Sequence, residues 1–318
     1  MHVDLDLTSD CNFRCRHCGD LARGLLNHGG LPRNIIEALL DDLQTLAVYE
    51  VALIGGGEPT VSAHFADTVR GLHERGIRCG VVTNGSCISD AALAAMQKGC
   101  EWVRVSLDAA TEDTYRKVHK PKGDVGFANV AENIERMIAA MGRRVGVSFL
   151  ITALNAHEIH AATQLAKAWG AAYMRIRPMQ HPRTGRPVIL PRLDQLNNQL
   201  ASAAACGDEQ FVVSLGDAIG DLGGASLQPK DYRSCHAQAF GATIAGDGRV
   251  YVCSKWRGEV WACVGDLKYE RFTALWNGPR RKAVLDVLSP AVACTHVYCH
   301  AHPLNLMLSR RLPTPTRL

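Results

Sequence analysis

Cys11-Asn12-Phe13-Arg14-Cys15-Arg16-His17-Cys18 places three cysteines within eight residues, at a spacing of C-x3-C-x2-C. It follows Val3-Asp4-Leu5-Asp6-Leu7, whose alternation of apolar and acidic residues reads as a strand. Three thiolates on one short loop can wrap a metal cluster. A 4Fe–4S cubane has four irons, so three ligands leave one iron without a protein thiolate. An electron-transfer ferredoxin closes that position with a fourth cysteine and uses a different local spacing. The open iron is a place for a substrate or cofactor, so the spacing points to chemistry rather than electron relay. Three blander readings compete. A disulfide needs an oxidising compartment. A zinc knuckle needs a fourth ligand, with His17 the only local candidate. Buried structural cysteine is common for single residues, not for a triplet.

The bulk numbers set the frame. The 318 residues suffice for one large or two moderate domains with a full core. With 47% hydrophobic and 21% charged residues, disorder is excluded. A net charge of +4 is too small and dispersed to imply nucleic acid. Asp4 and Asp6 interrupt any apolar leader at the start, and no run approaches the length of a membrane span. The expectation is a cytoplasmic protein with no membrane partner. Twelve cysteines in such a chain indicate metal or redox centres rather than a disulfide framework. Three lie at 11–18 and five at 235–299, while Cys79, Cys87, Cys100 and Cys206 are scattered and read as packing residues.

Up to about residue 177, strand and helix patterns alternate. Strands are expected at Val3–Leu7, Val51–Ile54, Cys79–Thr83, Trp102–Leu107, Val145–Ile151 and Tyr173–Ile176. The clearest helical stripe is Phe127, Val130, Ile134, Met137 and Met141. Six strands, each followed by a helix, give an α/β fold with a parallel sheet, and six units fall short of a closed eight-fold barrel. A partial (βα)6 TIM-like barrel over residues 1–190 is expected. A linking helix (about 191–205), strand and loop follow over 191–233, then a small cysteine-rich module over 234–318.

Functional residues are expected at the C-terminal ends of the strands. Strand two runs into Gly55-Gly56-Gly57-Glu58-Pro59, where glycines let the backbone approach a ligand closely. Strands three and four end in Thr83-Asn84-Gly85 and Ser106-Leu107-Asp108, which also read as ordinary helix caps. His119-Lys120-Pro121-Lys122-Gly123 reads first as a solvated basic loop, and also as a group facing a substrate anion. Arg175 and Arg177 fit either a bidentate carboxylate or phosphate contact or a structural salt bridge. In the last module, Thr243 to Cys253 reads as a hairpin turning at Asp247-Gly248, which can bring Cys235 and Cys253 to one cluster.

The cysteine loop with Phe13, followed by Gly56-Gly57-Glu58, resembles the radical S-adenosylmethionine (SAM) enzymes. The C-terminal cysteines, with Val264-Gly-Asp-Leu267 and Leu275-Trp-Asn277, resemble that family's auxiliary-cluster modules, SPASM or the shorter twitch form. The resemblance implies that Cys11, Cys15 and Cys18 hold a 4Fe–4S cluster whose open iron chelates SAM, and that a 5′-deoxyadenosyl radical takes a hydrogen atom from the substrate. It implies that Gly56, Gly57 and Glu58 hold the amino group of SAM, with Asn84, Ser106, Asp108 and Asn155 near its ribose, carboxylate and adenosine. Cys235, Cys253, Cys294 and Cys299 would bind a second 4Fe–4S cluster, with His296, His300 and His302 as alternative ligands and zinc as an alternative metal. Cys263, left over, would be a catalytic hydrogen-atom donor, a buried small residue or a fifth cysteine that is itself a ligand. Size and layout resemble the aminocyclitol dehydrogenase and neomycin-type epimerase members. Expected is epimerisation or oxidation of a small, sugar-like substrate, with flavodoxin or ferredoxin as electron donor. Modification of a ribosomally made peptide is the alternative, and an iron–sulfur or zinc regulatory module the non-enzymatic one.

Overall fold

Strands β1 (His2–Leu5), β2 (Glu50–Leu53), β3 (Arg78–Thr83), β4 (Cys100–Ser106), β5 (Val145–Ile151) and β6 (Tyr173–Pro178) lie side by side in chain order, all parallel. The computed structural model describes residues 1–180, 193–216, 219, 230–295, 299 and 301–311. Helices α1 (Gly19–Ala22) and α2 (Arg33–Thr45) follow β1; α3 (Phe65–Glu74) follows β2; and α4 (Asp90–Gly99) follows β3. Helices α5 (Glu112–His119) and α6 (Phe127–Met141) follow β4, and α7 (Ile159–Ala168) follows β5. On α6 the expected stripe is the buried one: Val130, Ile134, Met137 and Met141 pack inward. Helix α8 (Leu193–Ala204) leads to β7 (Val212–Leu215), a seventh parallel strand beside β6. The expected connection around Pro182, Gly185 and Pro187 lies outside the described residues.

The second module joins the same sheet. Strand β8 (Gly241–Ile244) pairs parallel with β1 on the side away from β2, and β9 (Arg249–Tyr251) and β10 (Cys263–Asp266) continue it antiparallel. The β8–β9 hairpin turns at Asp247-Gly248 as expected, with Gly248 at φ +94. An open barrel leaves β1 with an unpaired edge, and this hairpin covers it. Helices α9 (Phe272–Asn277), α10 (Pro279–Val287), α11 (Pro290–Ala293) and α12 (His302–Ser309) complete the module. Arg271, just before α9, clamps the buried Asp42 of α2 at 3.0 and 2.8 Å. Among the described residues no helix is long and apolar enough to cross a membrane.

Strand periodicity divides the sheet into two faces. On β4 and β6, Val103, Val105, Met174 and Ile176 are buried against the helices, while Trp102, Arg104, Ser106, Tyr173, Arg175 and Arg177 are half-buried on the inner face. Two glycines make room for the inner aromatic rings. A Cβ on Gly80 would sit 2.1 Å from the Trp102 ring, and one on Gly146 2.1 Å from the Tyr173 ring. Trp102 also donates Nε1–H to Glu50 at 3.0 Å. Gly80→Ala is therefore expected to push the indole off Glu50 and cost about 1–3 kcal/mol. Guanidinium denaturation followed by tryptophan emission checks this; an unchanged midpoint would show that the ring has room to move.

A candidate cluster and cofactor site

The cysteine loop is held from below by backbone and by one ring. Arg14 N and Arg16 N donate to His119 O and Val118 O, and Lys122 N donates to Asn12 O. Phe13 is buried and meets Tyr115 edge-on, with ring centroids 6.1 Å apart. His119 and the backbone of 118–122 thus form the floor of the cysteine loop, while Lys120, Lys122 and Gly123 stay exposed to solvent. His119 is 1% exposed; its Nε2 lies 2.9 Å from Leu107 O and its Nδ1 3.2 Å from Cys15 Sγ. His17, the candidate zinc ligand, turns its Nε2 toward Asp108 Oδ2 at 3.3 Å.

Cys11, Cys15 and Cys18 line one cavity of about 310 Å³. Burial raises all three thiols, Cys11 to about 11, against opposing N–H donors such as Phe13 N to Cys11 at 3.4 Å and Leu21 N to Cys18 at 3.3 Å. Thiols this reluctant to ionise become thiolates only against a strong positive charge, which an iron cluster provides.

Gly56, Gly57, Glu58, Asn84, Ser106 and Asp108 line the same cavity, together with Arg177. Gly55 and Gly56 take φ of +82 and +60, and a Cβ on Gly57 would lie 1.9 Å from Asp10 O. The glycine turn is therefore packed directly against the cysteine loop, with Gly57 N bonded to Thr8 O and Glu58 N to Asp10 O, each at 2.9 Å. Glu58 is buried, which pushes its carboxyl up, while Thr83 Oγ1, Asn84 N and Thr60 supply opposing donors. Oε2 receives only the Asn84 N–H at 2.6 Å among these and keeps lone-pair capacity toward the cavity. Asn84 reaches back to Asn12 of the cysteine loop at 2.9 Å.

The helix-cap alternative fails for both polar strand ends: Ser89 caps α4 and Thr111 caps α5. Asp108 instead sits at φ +55, rare for a residue with a Cβ, with Oδ1 accepting from Leu150 N at 2.6 Å. Burial acts to raise its carboxyl, but the His17 hydrogen bond and the nearby His17 and His119 hold it below the usual range.

Asn155 does not belong to this wall. It is fully buried, its Oδ1 taken by Thr152 N and Oγ1 and its Nδ2 by Asp108 O and Leu150 O, so no donor or acceptor remains for an adenosine. It holds the Asp108 turn. Glu158 does the same for the next residues, accepting from Ala110 N, Thr111 Oγ1 and Thr114 Oγ1.

In the second module, Cys235, Cys294 and Cys299 lie close enough to Cys253 for it to feel the charge of each. Burial raises Cys253 to about 12 and Cys294 to about 11. Asn305 of α12 is 1% exposed and donates to Cys235 Sγ at 3.5 Å, and Trp256 donates to Cys294. His302 bonds Tyr232 through Nδ1 at 3.1 Å instead of joining the cysteines, and His296 and His300 lie outside the described residues. Cys263 starts β10, its thiol donates to Gly265 O at 3.4 Å, and it does not line the cavity of the first cysteine loop.

Sequence reasoning missed the link between the two modules. Arg257, 9% exposed, sends Nη1 to Asp6 at 2.7 Å and Nη2 to Asp20 of α1, and its carbonyl accepts from Arg23. A Cβ on Gly55 would lie 2.7 Å from that guanidinium, so the glycine turn also makes space for this bridge.

The donor set fits an iron–sulfur cluster: three half-buried cysteines on one cavity, N–H groups aimed at sulfur, and glycine backbone opposite. The sequence model of the radical SAM superfamily matches residues 5–166, and that of the SPASM iron–sulfur cluster-binding domain matches 235–300. A mycofactocin maturase MftC of Mycobacterium ulcerans is 28% identical over 272 residues, 85% of this chain and 69% of that protein. An Fe-coproporphyrin III synthase of Methanosarcina barkeri is 30% identical over 161 residues, 50% of this chain and 39% of that one. Streptococcus suis SuiB bound to its precursor peptide SuiA superposes over 90% of this chain and 66% of that one, with a TM-score of 0.69 at 14% identity. The enzyme anSMEcpe with bound AdoMet covers 89% of this chain and 82% of its own, with a TM-score of 0.67 at 16% identity. The chain, matched over more than half its length, belongs to the radical SAM superfamily and is an enzyme that uses a 4Fe–4S cluster, S-adenosylmethionine and an auxiliary iron–sulfur cluster.

Proposed function

We propose that this enzyme is a maturase that modifies a peptide. The observation that carries the reading is the similarity to mycofactocin maturases, which runs through both modules in the same order. The shared fold also accommodates peptides, as in SuiB with SuiA and anSMEcpe with the Cp18Cys peptide. These relatives overturn the expectation of a sugar-like substrate and lend no support to the epimerase or dehydrogenase assignment. Overall resemblance in size does not carry substrate class, because the cluster loop and glycine turn serve every member alike.

In this reading Cys11, Cys15 and Cys18 hold the first cluster, and Cys235, Cys253, Cys294 and Cys299 the auxiliary one. When bound, the first cluster supplies the electron that splits SAM and generates the 5′-deoxyadenosyl radical. Gly56, Gly57 and Glu58 present backbone and one carboxylate oxygen to the amino group of SAM. Asn84, Ser106 and Asp108 line the remaining wall. A reduced flavodoxin or ferredoxin is the proposed electron source.

Co-expression with each short peptide encoded beside its gene tests the reading. A peptide mass that changes with wild type and not with Cys15→Ala is expected. If none changes while the purified enzyme still cleaves SAM, the substrate is not one of these peptides and the maturase reading fails.

A further inference from the structure

The inner face of the barrel carries a second polar site below the cavity of the cysteine loop. Arg104 of β4 lies opposite Gly146 of β5, and Arg175 of β6 lies opposite Ser148 of β5 and Ser214 of β7. The two arginines are thus two strands and one inward row apart. Neighbouring strands lie about 5 Å apart and alternate residues about 7 Å, within reach of both guanidinium arms. Arg104 feels the charge of Arg175. Arg104 bonds Tyr173 and stacks 5.5 Å from the Trp102 ring, yet its Nε is buried with no partner. Arg175 is half-buried.

Among the described residues no carboxylate pairs with either arginine. The carboxylates nearest the lumen floor are already engaged: Glu50 with Trp102 and Asp4 with His2. One row above Arg175, Arg177 lines the cavity of the cysteine loop, and Lys255 from the second module lies close enough to Arg177 for their charges to repel. Beside Arg175, the lumen side of β7 exposes Ser214 and Val212, the latter 53% exposed. Two nearby guanidiniums, a bare buried N–H and an exposed apolar side chain next to them suit a carboxylate attached to an organic body.

We propose that Arg104 and Arg175 form a carboxylate-binding subsite in the barrel lumen, which holds the substrate peptide by its C-terminal carboxylate or by an Asp or Glu side chain. The subsite rests on the peptide reading above for the identity of its occupant. A fixed anion there would hold a neighbouring C–H at the level of the cavity above, where Ser106, Ser148 and Arg177 line the wall.

The test uses the cluster-loaded enzyme with SAM and three pools of N-acetylated tripeptides in equilibrium dialysis. One pool is C-amidated and free of Asp and Glu, one has the same sequences with a free C-terminus, and one is amidated with a single Glu. N-acetylglycine, too small to touch more than the subsite, is titrated in parallel. At least one carboxylate pool should be retained roughly tenfold better than the neutral pool, and the better of the two identifies the source. Arg104→Gln and Arg175→Gln should each remove the preference while leaving SAM binding intact, and Arg175→Lys should restore part of it. Equal retention of all pools overturns the subsite and leaves the maturase reading standing. No retention of any pool, with N-acetylglycine bound in an Arg175-dependent way, keeps the subsite and overturns its peptide occupant. Where no pool is retained, N-acetylglycine binding that ignores Arg175, or none at all, overturns the subsite outright.

Discussion

The triple variant Cys11→Ala, Cys15→Ala, Cys18→Ala should lose at least about a thousandfold in 5′-deoxyadenosine formation and about four iron atoms per chain. The loss should come without unfolding, because the loop is not held by its sulfurs. Phe13 is buried against Tyr115 and His119, and four backbone bonds tie the loop to residues 118–122. These contacts survive in alanine. The thiols, by contrast, contribute little to the apo protein, since burial keeps them protonated. Iron analysis, the visible spectrum and anaerobic SAM cleavage with dithionite check the result, with a thermal melt of the cluster-free proteins as the folding control. The auxiliary iron should stay, as Cys235, Cys253 and Cys294 take their hydrogen bonds from Gln238, Asn305, Lys255 and Trp256, far from the first loop in sequence. Full iron content in the triple variant would remove these cysteines as ligands.

The parts of this molecule that were legible in sequence are those with a local pattern. Strand periodicity and the stripe on α6 depend on residues a few positions apart, and both fell where expected. The hairpin was readable because Asp247-Gly248 is itself a turn signal. What escaped has partners far away in sequence. Nothing near residue 257 announces that its side chain will meet Asp6, 251 positions earlier. Asn155 looked like a ligand because it is polar at a strand end; only the tertiary contacts show that Asp108 O, Leu150 O and Thr152 exhaust it. Cys263 was singled out by counting cysteines, which says nothing about direction along a hairpin. Arg104 was hidden for a related reason. Alternation tells that it faces inward, but not that Arg175 arrives beside it two strands later. Asp6 did carry a usable signal: a charged residue at the end of a strand must find a partner if that end is buried.

Arg257→Ala should cost about 3–5 kcal/mol of stability, because it leaves Asp6 and Asp20 without their cation in the interior, where burial already pushes the Asp6 carboxyl up to about 8. Asp6 is 2% exposed and Asp20 is largely covered, and the guanidinium answers both at once, Nη1 to Asp6 and Nη2 to Asp20. Arg257→Lys should recover only part, since an ammonium is one point charge and cannot span two acceptors lying on different elements. Water cannot easily replace the side chain, because Gly55 and Gly56 press against the same pair from the other side. The double variant Asp6→Asn, Arg257→Met separates the alternatives. If the loss comes from stranded charge, the double variant should be more stable than the sum of the singles by at least about 1.5 kcal/mol. If it comes from lost packing of the arginine stem, the two effects should add. Denaturation of the cluster-free proteins gives these values directly. The consequence for catalysis follows from position. Asp20 lies in α1, two residues beyond Cys18, and Arg23 of the same turn bonds the Arg257 carbonyl at 3.2 Å. Loosening Arg257 therefore frees the end of the first cluster loop and the Cys253 side of the second module together. Even where Arg257→Lys folds well, SAM cleavage should slow and lose coupling to product, read as the ratio of 5′-deoxyadenosine to modified peptide. An unchanged ratio in that variant would reduce Arg257 to a purely structural bridge.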